Sequence, residues 1–295
     1  MIKYKKFTFI DLPMNIHLIT FDDGYPGIKD AAVRLCLQAT ELEWFYSVNK
    51  YDIEVLSNLD PEWHVRHIGF IKNNMRGYGY WIWKPKIILE SLKQLPENDI
   101  LIYLDAGCEL NKYGFKVFNI YLELTQQFDL LSFHKYEGMY QESYKNNTEE
   151  WTKNYTINYL KSKSLSVHGN EPMIESGIIF MKNNTKVRTF IENWLSLCLA
   201  EDYGLVNDDN FGIIESSVFR EHRHDQAIFS YLMHASNFGF TIKNDNYQPI
   251  LFNQNLYDIE TPIFALRNKS GSSVLSNMNP ILNPMKATLI ISLPK

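Results

Sequence analysis

The stretch from Arg76 to Leu110, RGYGYWIWKPKIILESLKQLPENDILIYLDAGCEL, limits the fold more than any other part of the chain. Gly77 and Gly79 loosen the backbone among bulky rings. Pro85 suits the first turn of a helix, where its missing N–H costs little. Ile87, Ile88, Leu92 and Leu95 then fall on one helical face, and Pro96 and Asn98 end the helix. Ile100 to Leu104 is a short apolar run, rich enough in branched and aromatic residues to be a buried strand. Asp105-Ala106-Gly107 follows at its carboxyl end. Open α/β sheets bind ligands outside such strand ends. A carboxylate there, followed by a glycine that leaves room, is suited to holding a metal-bound phosphate.

A chain of 295 residues with 45% hydrophobic content can bury a sizeable core. Its net charge of −5 argues against a nucleic-acid partner, which normally meets a basic surface. No apolar run approaches the roughly 18 residues of a membrane-spanning helix, and the first residues lack the apolar core of a signal peptide. Cys36, Cys108 and Cys198 are scattered and odd in number, which reads as reduced thiols and a cytoplasmic location.

The rest of the chain alternates strand and helix patterns. Strands are expected at residues 17–21 (HLITF), 44–48, 100–104, 130–133, 177–181 and 240–243, with a further short one possible at 7–13. Helices are expected at 28–39, 52–59, 114–128, 151–161, 187–200 and 225–235, and residues 202–220 read as a loop. Residues 134–173 read as a polar excursion over the site. The fold class is therefore α/β, a mostly parallel sheet flanked by helices. One domain covers residues 1–260, and residues 261–295, where alternation returns only near Ala287 to Leu293, form an appendage.

Three motifs then carry a resemblance. The strand ILIYLDAG ends in an acidic residue, ESGIIFMKN pairs a Ser-Gly strand entry with a later Asn, and HRHDQAIFSYL opens a helix on Asp-Gln. In this order, with HLITF before them, they resemble GT-A-fold glycosyltransferases of the glycogenin-like and mannosyltransferase-like groups and related viral and bacterial enzymes. The resemblance spans residues 15–255 and implies a Rossmann-like, GT-A-like mixed sheet. It also implies a nucleotide-diphosphate sugar as donor (a UDP- or GDP-sugar), a glycan or other hydroxyl acceptor, and a divalent metal, Mn2+. One departure stands out: the second acidic position of the family's Asp-x-Asp is Gly107, with Glu109 two residues beyond.

Glycosyl transfer must hold a diphosphate and neutralise the charge that grows as it leaves. On the resemblance, Asp105, His222 and His224 are the metal-ligand candidates. Thr20, Asp22 and Asp23 form the first nucleotide loop. Arg76 and Lys84 are the basic residues near the donor phosphates, and Lys84 sits at a helix start, where the dipole does not favour a cation. Ala106, Gly107, Ser176, Gly177 and Gln226 complete the donor pocket, with glycine letting backbone approach the ligand. Asp225 and Glu175 are the candidate catalytic carboxylates, Asp225 being equally suited to capping its helix. Of Tyr78, Tyr80, Trp81 and Trp83, at least two are expected as buried packing.

Two other readings compete. Thr20-Phe21-Asp22-Asp23-Gly24 matches the opening motif of metal-dependent polysaccharide deacetylases, with His64 and His67 as the nearest histidine pair. A non-catalytic nucleotide-sugar-binding protein is the other, favoured by Gly107.

Overall fold

The computed structural model describes residues 14–135, 145–242, 256–258, 260–277 and 279–281. The expected short strand at 7–13 and the alternation near Ala287 to Leu293 lie outside these residues.

In chain order the elements begin β1 (Ile16–Phe21), α1 (Pro26–Leu42), β2 (Ser47–Tyr51), α2 (Ile53–Leu59) and α3 (Pro61–Asn73). A short left-handed turn, α4 (Gly77–Tyr80), leads into α5 (Trp83–Gln94), β3 (Ile100–Leu104) and β4 (Glu109–Leu110). Then come α6 (Phe115–Phe128), β5 (Leu130–Phe133), α7 (Asn154–Ser162), β6 (Ile178–Lys182), α8 (Thr185–Tyr203), α9 (His224–Ser236) and β7 (Phe240–Ile242). The short strands β8 (Leu256–Asp258), β9 (Ile263–Phe264) and β10 (Asn279–Ile281) close the series.

The main sheet has six strands in the order β2-β1-β3-β6-β5-β7. All run parallel to their neighbours except β6, which is antiparallel to both β3 and β5. The chain is thus an α/β protein with a mixed, mostly parallel sheet flanked by helices. Alternation explains the layering. On β3, Leu101 and Tyr103 face the core formed with α5, α8 and α9, while Ile100, Ile102 and Leu104 face the core formed with α1 and α6. Both faces are apolar because both are covered. Each fully buried Ile or Leu contributes about 1.5–3 kcal/mol to holding the layers together.

Most element positions follow the sequence pattern, but β2 starts three residues later than expected. Trp44 and Phe45 do not enter the strand. They pack on Phe118 of α6, with ring centroids 4.8 and 5.7 Å away. Aromatic character alone places them equally well in a strand or under a helix.

Residues 260–277 lie against the main domain. β9 pairs antiparallel with β4, and Asn111 receives this segment through the carbonyl oxygens of Pro262 and Thr261. The next stretch crosses the Asp105-Ala106-Gly107 loop. Arg34, buried on α1, donates to the carbonyl oxygens of Ala106 and Cys108 on one side and of Asn268 and Ser270 on the other. Glu109, fully buried, accepts from Asn268, Ser273 and the backbone amides of Val274 and Leu275.

Candidate active site

Lys84 is placed by its neighbours on α5. Gly77 to Trp81 all take left-handed backbone angles, φ 56°, 51°, 83°, 52° and 61°, which costs three non-glycine residues conformational energy. A side chain on Gly77 would overlap the Trp81 ring, so glycine is required there. Trp83 secures the end of this turn. It stacks on Phe21 of β1 at 3.8 Å between centroids and donates its indole N–H to the Gly77 carbonyl at 3.1 Å. The Lys84 amide donates to the Trp81 carbonyl, and Pro85 follows in the first turn as expected. Trp83 is buried, whereas Tyr78, Tyr80 and Trp81 are each half-buried, so one ring of the four is fully packed rather than two.

The Lys84 side chain ends between two carboxylates. Its Nζ lies 3.2 Å from Asp105 Oδ1, 3.4 Å from Asp225 Oδ2 and 3.5 Å from Ser176 Oγ. Ser176 donates to Asp225 Oδ2 at 3.0 Å, and Tyr103 donates its hydroxyl to Asp105 Oδ1 at 2.6 Å. Lys84 and Asp225 are buried, while the Asp105 side chain keeps 46% of its exposure, so Asp105 is the carboxylate that reaches solvent. Gly177 lies directly beside it, where a Cβ would come within 2.5 Å of Asp105 Oδ2. The Asp105 amide also donates to the Gly177 carbonyl, which locks the end of β3 to the start of β6.

Charge on this cluster is self-consistent. Burial alone would lower the Lys84 ammonium, but the Asp105 and Asp225 carboxylates outweigh it and hold its pKa above the ordinary value. Burial pushes the Asp225 carboxyl up to about 6, against the opposing pull of Lys84. Asp225 sits in the first turn of α9, where a negative charge is favoured, and the Trp194 indole fixes that turn by donating to the Asp225 carbonyl. Gln226 donates to the Ile174 carbonyl at 2.9 Å and approaches Glu175 at 3.4 Å.

The structure therefore brings the sequence candidates Lys84, Asp105, Ser176, Gly177 and Asp225 together in one place, with Glu175 and Gln226 beside them. Tyr103 was missed. It lies two residues before Asp105 on a strand, so the period of two already put both on one face.

The remaining candidates stand elsewhere. Thr20 is fully buried in the sheet and does not reach a surface. Asp22 is buried and paired with Lys50 at 2.9 Å, and its other oxygen accepts from the Gly24 amide. Asp23, at the same strand end, is only partly buried and accepts from the Tyr25 amide. Ala106 is buried with its carbonyl on Arg34. Gly107 has a packing reason to be glycine: a Cβ there would lie 2.8 Å from the Arg267 Cα. Arg76 is half-exposed and ion-paired with Asp208 and Glu221.

The expected manganese ligands Asp105, His222 and His224 do not form one group of three among the described residues. Among them, no three His, Cys, Asp or Glu side chains group to hold a metal. His222 donates Nε2–H to the Leu205 carbonyl, and its Nδ1 lone pair faces the Lys153 amide at 3.4 Å. His224 donates Nδ1–H to the Val206 carbonyl at 2.6 Å. Burial drives His222 well below the usual imidazole pKa and His224 down to about 4, so both are neutral clamps on the 205–206 backbone. Asp105 Oδ1 is already engaged by Tyr103 and Lys84. The deacetylase site does not assemble either. His67 bonds the Tyr203 hydroxyl at 2.8 Å, and Asp22 is committed to Lys50.

The lysine bridges two carboxylates at the strand ends of the sheet, the side on which open α/β sheets bind ligands. No protein-family model and no curated protein matches the sequence. Solved structures similar to this chain include mouse xyloside xylosyltransferase 1 in its apo form, at 12% identity and a TM-score of 0.42, covering 82% of this chain and 89% of that one. Another is a glycosyltransferase involved in glycosylation of the major capsid of PBCV-1, at 11% identity and a TM-score of 0.40, with 89% and 96% covered. A third is the galactosyltransferase LgtC in complex with donor and acceptor sugar analogs, at 12% identity and a TM-score of 0.39, with 80% and 76% covered. No described helix is long and apolar enough to cross a membrane.

Proposed function

We propose that the chain is a glycosyltransferase that moves a sugar from a nucleotide-diphosphate sugar, a UDP- or GDP-sugar, to a hydroxyl acceptor on a glycan. The observation that carries this reading is the buried Lys84 ammonium set between Asp105 and Asp225, with Asp105 reaching solvent and Gly177 leaving room beside it. The motifs ILIYLDAG, ESGIIFMKN and HRHDQAIFSYL, which carry the family resemblance, supply every member of this cluster except Lys84.

In this reading Asp105 touches the donor, orienting its hydroxyls or ribose. Asp225, Ser176 and Tyr103 act through Lys84 and Asp105 as positioning residues, fixing the exposed carboxylate to one rotamer. The bond between the anomeric carbon and the diphosphate oxygen breaks, and its electron pair stays with the diphosphate. The acceptor oxygen forms the new bond to that carbon as its O–H bond breaks, and the proton passes to the oxygen of the departing diphosphate.

The test incubates the protein with a panel of nucleotide sugars, with manganese and with a chelator, and measures release of free nucleotide. We expect turnover of at least one donor and a fall of about 100-fold in Asp105→Ala, with the melting temperature held. Full activity in that variant would refute the assignment. Tight donor binding with no turnover would instead support a binding protein, and acetate release from an acetylated glycan would support the deacetylase.

A further inference from the structure

We propose that Ser47, His17 and Asp99, at the amino-terminal end of the sheet, form a nucleophilic relay that hydrolyses small activated acyl esters through an acyl-serine. Asp99 and Asp105 flank the five residues of β3, which sets them about 20 Å apart. The relay is therefore a separate site and does not rest on the glycosyltransferase reading.

The central observation is a nucleophile, a base and an orienting acid in series. His17 Nδ1 lies 2.8 Å from Ser47 Oγ, and its Nε2 lies 3.0 Å from Asp99 Oδ2. A carboxylate only accepts, so Nε2 carries the proton, and the neutral ring turns its Nδ1 lone pair to the serine hydroxyl. That hydroxyl then donates to a base, the contact that activates a serine oxygen. The two ring nitrogens have exchanged the places they hold in serine proteases, which leaves the proton path unchanged.

Each member is fixed by the sheet. His17 and Ser47 are register partners on the parallel strands β1 and β2. Asp99 stands immediately before β3, where its Oδ1 accepts from the Asn15 amide at 3.0 Å and its carbonyl accepts from the Asn183 amide. His17 and Asp99 are both buried, so the base and the acid are held out of water. The Tyr46 ring meets the imidazole edge-on at 5.6 Å between centroids.

Access is from the outer side of β2. It is an end strand of the six-stranded sheet, and among the described residues nothing pairs with its outer edge. Ser47 is half-buried and Asn49 is exposed. Asn49 shares a face of β2 with Ser47, and its side-chain amide donates to Ser47 Oγ at 3.5 Å. An N–H donor thus stands beside the attacking atom, where the carbonyl oxygen of an ester gains charge. Only the serine and this amide reach the surface, so the substrate class that fits is a small acyl group on a good leaving group. Ser47 Oγ bonds to the acyl carbon as its proton passes to His17 Nδ1. The bond from that carbon to the leaving oxygen breaks with its electron pair, and the proton goes on to that oxygen. Water repeats the exchange: its oxygen bonds to the acyl carbon, the carboxylic acid leaves, and Ser47 regains its proton.

The experiment treats the full chain with p-nitrophenyl acetate and with a fluorophosphonate. It reads nitrophenol release and locates the phosphonyl adduct by peptide mass spectrometry. We expect the adduct on Ser47, no reaction with either reagent in Ser47→Ala, and a fall of about 100-fold in both rates in His17→Gln. His17 is buried, so the native chain is also compared with the urea-unfolded one, in which labelling of Ser47 should slow by about the same factor. Asp99→Asn keeps the shape of the side chain and should lower kcat for the ester more than it changes KM. Failure to label Ser47, labelling as fast after unfolding, or ester turnover that survives Ser47→Ala overturns the relay. An unchanged kcat in Asp99→Asn removes Asp99 from it and overturns the three-residue assignment.

Discussion

Two buried charge clusters flank the Asp105-Ala106-Gly107 loop, and they are finished differently. On one side, Glu109 accepts from the 260–277 segment and Arg34 donates to that segment and to the loop itself, with the carboxylate fully buried. On the other, Lys84 is just as buried, but one of its two carboxylates, Asp105, stays nearly half-exposed. Both clusters meet the rule that buried charge needs partners. Only the second holds charge where a ligand can meet it. The contrast separates a structural latch from a site, and it does so without reference to sequence motifs.

The largest effect should come from Lys84→Met. It leaves Asp105 and Asp225 facing each other without their cation, which we expect to cost about 3–5 kcal/mol of stability and about 100-fold in transfer through misplacement of Asp105. Chemical denaturation and nucleotide-release assays check the two parts, and an unaltered midpoint would show that Lys84 is not the keystone of the cluster. Glu109→Ala should affect the fold alone. It strips the acceptor from Asn268, Ser273 and two amides, for about 3 kcal/mol. The pH sign is fixed as well. Burial would raise the Glu109 carboxyl, but the donors from Ser273, Val274 and Asn268 outweigh it and lower its pKa below the ordinary value. Its stabilisation is present above the unfolded carboxyl pKa and is lost as pH falls through the folded one. Thermal melts of Glu109→Gln should therefore lose stability at neutral pH and show a shallower acid limb than the parent.

Much of the fold was legible because its signals are local. Ile100 to Leu104 could only be a covered strand, and Tyr103 and Asp105 share a face by counting. The direction of β6 was not legible: GIIFM is equally apolar read either way, and antiparallel pairing is decided by where the chain travels before it arrives. The Lys84 cluster was legible residue by residue, but not as a cluster, since it joins α5, β3, β6 and α9 across a span of 141 positions from Lys84 to Asp225. Gly107 was read as room for a ligand. Its neighbour is instead the backbone of Arg267, 160 residues on, and no local pattern announces that contact. The same holds for His222 and His224, whose partners are carbonyl groups in a loop without periodicity.

A subtler test of the open cluster is Gly177→Ala. The added Cβ would meet Asp105 Oδ2 at 2.5 Å, so the carboxylate must turn from Tyr103 and Lys84. The cost in stability should stay near 1–3 kcal/mol, because Asp105 can swing toward solvent. Donor turnover should fall by more than that figure alone accounts for. If stability drops but turnover per folded molecule is kept, the orientation of Asp105 is not what the cluster supplies.

The smallest effect sharpens the comparison through pH. Asp225 has its folded pKa pushed up to about 6, so it takes up a proton well above the range of an ordinary aspartate. For stability the sign is opposite to that of Glu109: the Asp225 contribution is greatest below the ordinary aspartate pKa and declines as pH rises through about 6. For activity the ionised form is the one that accepts from Lys84 and Ser176 and keeps Asp105 in place. Transfer should therefore fall as pH drops through about 6, in the range where Asp225 is becoming less costly to the fold. A profile of kcat/KM between pH 5 and 8 reads this directly, with Asp225→Asn expected to be slower throughout and to lack the limb near 6. A parent profile that stays level across that range would mean that the proton on Asp225 does not govern the exposed carboxylate, and the two clusters would then differ only in exposure.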